Sequence, residues 1–235
     1  MRFDVISIFP ESLRGLLSVG VVGQAWEAGE ISIHLHDLRA YSDDAHRVVD
    51  DRPYGGGAGM LLKVEPFVRA LETLRSQWGP RTRTVLLSAQ GRVFSQRDAS
   101  RYAQGDGLAL LCGRYEGVDE RVLAFVDEEI SIGDFVLAGG EAAAALVIEA
   151  TARMLPGVVG KYESVSTDSF YSEPRLGAPQ YTRPPDFRGL TVPEILLSGD
   201  HVKIEEFRAR EAWRKTAKNR PDLLGLRGEE GKANG

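Results

Sequence analysis

The chain has 235 residues, 43% of them hydrophobic and 27% charged, with one cysteine, Cys112; this balance fits a soluble globular protein and excludes disulfide scaffolds, Cys-rich zinc sites, collagen, coiled coil and wholesale disorder. No stretch approaches the ~18 apolar residues of a membrane span, and a lone cysteine fits a reducing, cytoplasmic compartment. The formal net charge is −5, yet residues 201–220 carry seven Lys/Arg against three Glu, so a basic segment sits on an acidic body and can serve as an electrostatic footprint for nucleic acid or simply as a solvated helix face.

In chain order, the opening MRFDVISIFPES carries Asp4 and Glu11 and reads as a first strand rather than a signal peptide. Short Val-, Ile- and Leu-rich runs predict strands at 3–8, 31–35, 84–88, 108–112 and 129–132, and helices are predicted between them at 65–77, 95–103 and 118–126. Strands alternating with helices imply an α/β layer fold with a mainly parallel sheet. His34 and His36 alternate on one strand, as edge or packing residues would. Residues 140–155, GEAAAALVIEATARML, predict a helix closed by Pro156-Gly157 and apolar on more than one face, which needs a core or a second subunit to cover it. Residues 157–173 are rich in Gly, Ser and Thr, and 174–193 hold five of the eleven prolines, a linker and an extended arm. A basic helix begins at Asp200, its N-cap, and the tail EEGKANG is expected to be disordered.

The usual nucleotide signatures are missing: there is no G-x-G-x-x-G after a strand and no G-x-x-x-x-G-K-[ST]. Instead, three glycine-bearing loops each follow an apolar strand: LSAQGR (87–92), CGRYEG (112–117) and SIGDFVLAGGE (131–141). One such loop is ordinarily a tight turn. Three in succession predict a pocket of backbone donors and acceptors at the carboxyl ends of parallel strands, suited to a purine-bearing ligand. A fourth loop, DDRPYGGGAGM (50–60), reads as a surface turn or, through Arg52 and Tyr54, as a contact for phosphate and base.

Together with ARMLPGV, TDSF, YTRP and LLSGDH, these segments resemble the bacterial tRNA (guanine-N1)-methyltransferase family, in that family's order and spacing from residue 1 to about residue 224. Ala89 stands where the family usually has proline, Leu86 where tyrosine is frequent and Phe135 where tyrosine is common. The resemblance implies methyl transfer from S-adenosylmethionine to N1 of the guanosine at position 37 of tRNA. It implies a deep trefoil knot in a cofactor domain spanning 1–160, a flexible linker at 161–173, and a small, mainly helical tRNA-binding domain at 174–235. It also implies a homodimer whose active site is shared between subunits.

Residue by residue, the resemblance puts the cofactor on Leu87, Ser88 and Gly91, on Gly113, Tyr115 and Glu116, and on the third loop through Ser131, Ile132, Gly133, Asp134, Phe135, Val136, Leu137, Gly139 and Gly140. It makes Asp168 the general base and Arg153 the partner of O6, with Glu116 and Asp168 as oxygens for a magnesium ion. Arg183, Ser198 and His201, with Arg208, Arg214 and Lys215 of the basic helix, join Arg52 and Tyr54 on the RNA. Bland readings stand beside these: Thr167-Asp168-Ser169 is also helix-cap chemistry, and Arg153 suits a helix C-terminus. Two rivals remain open on the sequence, a ribose 2′-O-methyltransferase of the same knotted superfamily and a noncatalytic RNA-binding module.

Overall fold

The structure, a computed structural model, describes residues 1–160, 167–171 and 173–225; most of the expected linker's first half and the tail EEGKANG lie outside the described residues. The chain divides into two units, Met1–Gly160 and Lys161–Gly235.

The first unit is built on five strands, β1 (Arg2–Ser7), β2 (Ser32–Asp37), β5 (Thr82–Val93), β6 (Gly107–Cys112) and β7 (Glu128–Ser131), in the order β2-β1-β6-β5-β7. All four pairings are parallel. Side chains alternate across this sheet, and both faces are covered. Phe3, Val5, Val85, Leu87, Leu108 and Leu110 pack on one side with α1 (Arg14–Leu17), α2 (Gly20–Glu27) and α5 (Glu141–Ala152). Ile6, Leu86 and Leu111 pack on the other with Phe67, Leu71 and Leu74 of α3 (Val64–Arg75). β6 lies between β1 and β5, and with both sheet faces covered all six of its residues are buried, which is why GLALLC reads as an unbroken apolar run.

Several expectations change. The helix expected at 118–126 is a 3-10 turn, Glu120–Phe125, after Asp119. Val118 is bound up in a parallel bridge to Leu62, with Leu62 N–H donating to Gly117 O and Asp119 N–H to Leu62 O, so helix cannot start there. The strand expected at 84–88 runs on to Val93, because the chain leaves the β7 ladder after Leu87 and rejoins it at Arg92. Two-residue strands β3 (Asp50–Asp51) and β4 (Leu61–Leu62) close the fourth glycine loop like a drawstring. Helix α5 ends at Ala152 rather than 155; Leu155 precedes Pro156, which disfavours the helical conformation there. Its apolar residues are mostly covered by their own chain, with Leu146 left 44% exposed, so the helix itself requires no partner.

His36 does sit on an edge strand, where its Nε2 meets the buried Asp4 carboxylate at 2.7 Å beside Arg2 and Trp78 Nε1. Burial opposes the charge on Asp4, but hydrogen bonds from His36 and Arg2 outweigh it and hold its pKa at about 2.

Beyond the loop at 88–91, an ionic cluster ties β5 to β7 and to α4 (Gln96–Tyr102). Arg92 bridges Asp98 and Glu128 at 2.7 Å each, Arg101 reaches the same two acids, and Ser95 and Asp98 form a capping box at the start of α4. Burial resists ionisation of Asp98, yet hydrogen bonds from Arg92, Ser95 and Arg101 prevail and keep it well below the ordinary carboxylate range. The hydrogen bond from Arg101 likewise lowers Glu128. Groups depressed in the folded state stabilise it above their unfolded pKa, and that contribution disappears as pH falls through the folded values. Asp98→Asn should therefore cost ~1–3 kcal/mol at neutral pH, given the lost cap and charged hydrogen bonds. The gap between the thermal unfolding curves of variant and wild type should begin to narrow below about pH 4 and close only as pH falls through the depressed folded-state value. A gap that stays constant with pH would remove the charge from the explanation.

In the second unit, α6 (His201–Asn219) is capped by Asp200, whose carboxylate accepts from Lys203 N–H at 3.2 Å. Ile204, Ala212 and Thr216 are its buried residues, and Thr216 Oγ1 accepts from Leu176 N–H, tying the helix to the preceding arm. The arm contains a small turn, β8 (Asp186–Phe187) against β9 (Leu190–Thr191). Among the described residues, no helix is long and apolar enough to cross a membrane.

Candidate active site

The three strand-end loops converge on one cleft of about 210 Å³ in the first unit. Leu87 and Ser88 come from the loop that leaves β5. Gly113, Tyr115 and Glu116 follow β6, and Ser131, Ile132, Phe135, Val136, Leu137, Gly139 and Gly140 follow β7. The carboxyl ends of parallel strands thus build the site, as they do in open α/β sheets generally.

Three residues expected on the cofactor stand outside this lining, and each has another local task. A Cβ on Gly91 would lie 2.5 Å from Ile130 N, so glycine there lets β5 press against the β7 backbone. Gly133 has φ 142°, and a Cβ on it would strike the Phe135 ring at 2.7 Å. Asp134 is exposed in the same turn. Gly140 lines the cleft but is also packed from behind, since its Cβ would come within 2.8 Å of Cys112 Cα. Gly113 differs: the nearest atoms to a Cβ there would be the Val118 side chain at 3.2 Å, the Leu87 carbonyl at 3.7 Å and Gly117 Cα at 4.0 Å, so a larger side chain there enters the space between the loops.

The second loop is a tight turn closed by Gly117 N–H donating to Arg114 O at 3.0 Å, with Tyr115 held at φ 59°. A non-glycine residue in the left-handed region costs of order 1 kcal/mol and persists where its surroundings impose it. The fourth loop supplies part of that imposition. Glu116 N–H donates to Met60 O, and a Cβ on Gly59 would lie 2.5 Å from Glu116 Oε1, so Gly59 lies directly against the second loop. Tyr54 in that loop is fully exposed and Arg52 is exposed beside it.

Charged residues missed from the sequence also face the cleft: Arg114, Glu120 and Glu129. With Glu116 they give three carboxylates against one guanidinium, a lining that favours a ligand of net positive charge with an anionic end. Arg114 lay inside CGRYEG, where the strand-end rule that picked out the glycines applies equally to their neighbour; Glu129 lies within strand β7 and Glu120 in the 3-10 turn, where no strand-end signal marks them.

Arg153 is the C-cap of α5 in the first unit. In the second unit, Asp168 lines a separate polar groove with Thr167, Glu173, Arg175, Glu205 and Arg208. Residues 167–171 are turn and bend, so Thr167-Asp168-Ser169 has no helix to cap among the described residues. Of the RNA candidates, Arg183, His201, Arg214 and Lys215 are exposed. Arg208 pairs with Glu205 and Arg214 with Glu211 along α6. The Arg208–Glu205 pair is exposed on both sides and worth at most ~1 kcal/mol, whereas Glu211 is largely buried against the helix's own unit. Ser198 Oγ accepts from Asp200 N–H and donates to Ile195 O, shaping the turn into α6.

The family described as tRNA (Guanine-1)-methyltransferase TrmD matches residues 1–226. Curated relatives named tRNA (guanine-N(1)-)-methyltransferase agree over most of the chain. That of Anaeromyxobacter sp. (strain Fw109-5) is 51% identical over 225 residues, which is 95% of this chain and 90% of the relative. That of Geobacter metallireducens is 47% identical over the same length, covering 95% and 91%. That of Levilactobacillus brevis is 48% identical over 228 residues, covering 95% and 89%.

Proposed function

The chain belongs to the tRNA (guanine-1)-methyltransferase family, and from that premise we propose that it methylates N1 of the guanosine at position 37 of tRNA with S-adenosylmethionine as methyl donor. The observation that carries this reading is the convergence of three separate family motifs on one cleft at the strand ends. Bound S-adenosylmethionine supplies an electrophilic methyl on a sulfonium, already a good leaving group. The glutamates of the cleft favour that positive charge, and its glycines let backbone amides and carbonyls close on the purine.

The protein's remaining task lies with the acceptor. N1 of neutral guanine bears a proton and is a poor nucleophile, so a base within hydrogen-bond reach must take it as the methyl arrives. Asp168 is assigned that role. Negative charge grows on O6 as the proton leaves, and Arg153 is assigned to stabilise it. The first unit is read as the cofactor domain, its three strand-end loops forming a deep trefoil knot, and the second as the tRNA-binding domain, with Arg183, Ser198, His201, Arg208, Arg214 and Lys215 on the RNA. Arg52 and Tyr54 would join them from the fourth loop. The active unit is read as a cytoplasmic homodimer that pairs one subunit's cleft with the other's Asp168. Glu116 and Asp168 would be the protein oxygens for magnesium; among the described residues no cluster of three or more His, Cys, Asp or Glu side chains is arranged for a metal.

Incubation of the protein with labelled S-adenosylmethionine and a tRNA transcript, followed by nucleoside analysis, should yield 1-methylguanosine. Label on a ribose 2′-oxygen would instead support the rival chemistry, and absence of cofactor binding would support the RNA-binding module.

A further inference from the structure

Arg114 is held more firmly than any other charged group in the cleft lining. Its backbone bridges Gly139 in antiparallel fashion, and Gly140 N–H donates to Gly113 O at 2.9 Å. Its guanidinium stacks over the Phe9 ring, 4.7 Å from the ring centre, and its Nη1 lies 3.6 Å from Glu141 Oε2. Glu141 is only 8% exposed, opens helix α5 and does not itself line the cleft. Its other oxygen, Oε1, accepts a 2.6 Å hydrogen bond from the buried Ser7 hydroxyl, and Ser7 Oγ in turn accepts from Phe9 N–H. The end of β1 therefore fixes both the carboxylate and the ring that embrace the arginine. Gly139 leaves the room they need, since a Cβ there would fall 2.4 Å from Glu141 Oε2 and 2.8 Å from Arg114 Nη1.

A carboxylate is costly to bury unless it is paired and hydrogen-bonded. The helix N-terminus and Ser7 offset part of that cost for Glu141, and Arg114 answers its charge. At 3.6 Å and with a quarter of its side chain exposed, the guanidinium keeps donors free for the cleft. We infer that Glu141 is a positioning residue that aims Arg114 into the cleft as its receptor for an oxyanion. That oxyanion is either the α-carboxylate of S-adenosylmethionine or a phosphate of the tRNA backbone. The inference rests on the methyltransferase reading for its ligands, and it deepens that reading by assigning the one cation of an otherwise acidic lining.

The test uses the full-length protein and two constants, the calorimetric Kd for S-adenosylmethionine and the steady-state KM for a tRNA transcript. Arg114→Ala should raise one of them by about 10- to 100-fold, the usual size for a lost charged hydrogen bond, while kcat changes little. A shift in Kd identifies the carboxylate; a shift in KM with Kd unchanged identifies the phosphate. Glu141→Gln keeps the shape and the bond from Ser7 but not the charge. It should move the same constant in the same direction, and the double variant should be no worse than Arg114→Ala alone. If both constants stay within about twofold in a folded Arg114→Ala protein, or if the two substitutions simply add, the inference is overturned. Should Glu141→Gln fail to fold, Ser7→Ala takes its place, and an unchanged constant there is equally decisive. Loss of N1 methylation by the wild-type protein would count against the proposed function; the Kd measurement judges Arg114 independently of turnover.

Discussion

Asp168→Ala is expected to slow methyl transfer by ~10²–10⁴-fold, the usual contribution of a positioned general base, while affinity for S-adenosylmethionine stays near the wild-type value. The two parts of this expectation have different sources. The loss follows from the acceptor: without removal of the N1 proton there is no lone pair to attack the methyl. The preserved affinity follows from the lining, because Asp168 is not among the residues of the cleft assigned to the cofactor, all of which belong to the first unit. Its bland role as a helix cap has no helix behind it among the described residues. Rates measured under single-turnover conditions, alongside calorimetry with the cofactor, separate the two effects. Turnover within about threefold of wild type, with chemistry limiting, would remove Asp168 as the base.

Much of the cleft's lining was legible before the fold was known, because parallel strands buried on both faces leave unbroken apolar runs and their carboxyl ends bring loops together. GLALLC and the loop CGRYEG after it show both signals. What escaped was set by contacts between distant segments. The extension of β5 to Val93 depends on Gly91 meeting the Ile130 backbone, and the loss of the helix expected at 118–126 depends on Leu62 pairing with Val118. Ser7 and Glu141, 134 positions apart, carry no local signal that they touch. Asp168 and Arg153 are a different case. Their residue types and spacing fit caps and helix ends as well as catalysis, and only the family resemblance gives them chemical roles.

The largest claim that rests on two subunits is that each active site draws its cofactor loops from one and its Asp168 from the other. Helix α5 does not argue for it, since the chain buries most of that helix itself. The stronger support lies at the cleft, where Phe135 is 55%, Val136 87% and Tyr115 53% exposed, large apolar surfaces on residues that a solitary subunit would leave to water. Two inactive variants test the claim. Asp168→Ala loses the base but keeps intact loops, whereas Gly113→Val keeps the base and places a branched side chain between the loops, 3.2 Å from Val118 at its Cβ. Gly113→Val alone should bind S-adenosylmethionine poorly and be nearly inactive. In a mixed dimer, one of the two composite sites joins unaltered loops to an unaltered Asp168. Random exchange of equal amounts should therefore restore about a quarter of wild-type activity from two dead proteins. Sites contained within single subunits predict none, because every loop set would then be paired with its own chain's defect. Exchange is followed independently with differently tagged subunits. Complete exchange without recovered methylation, or a methylating monomer by light scattering, would show that each chain works alone.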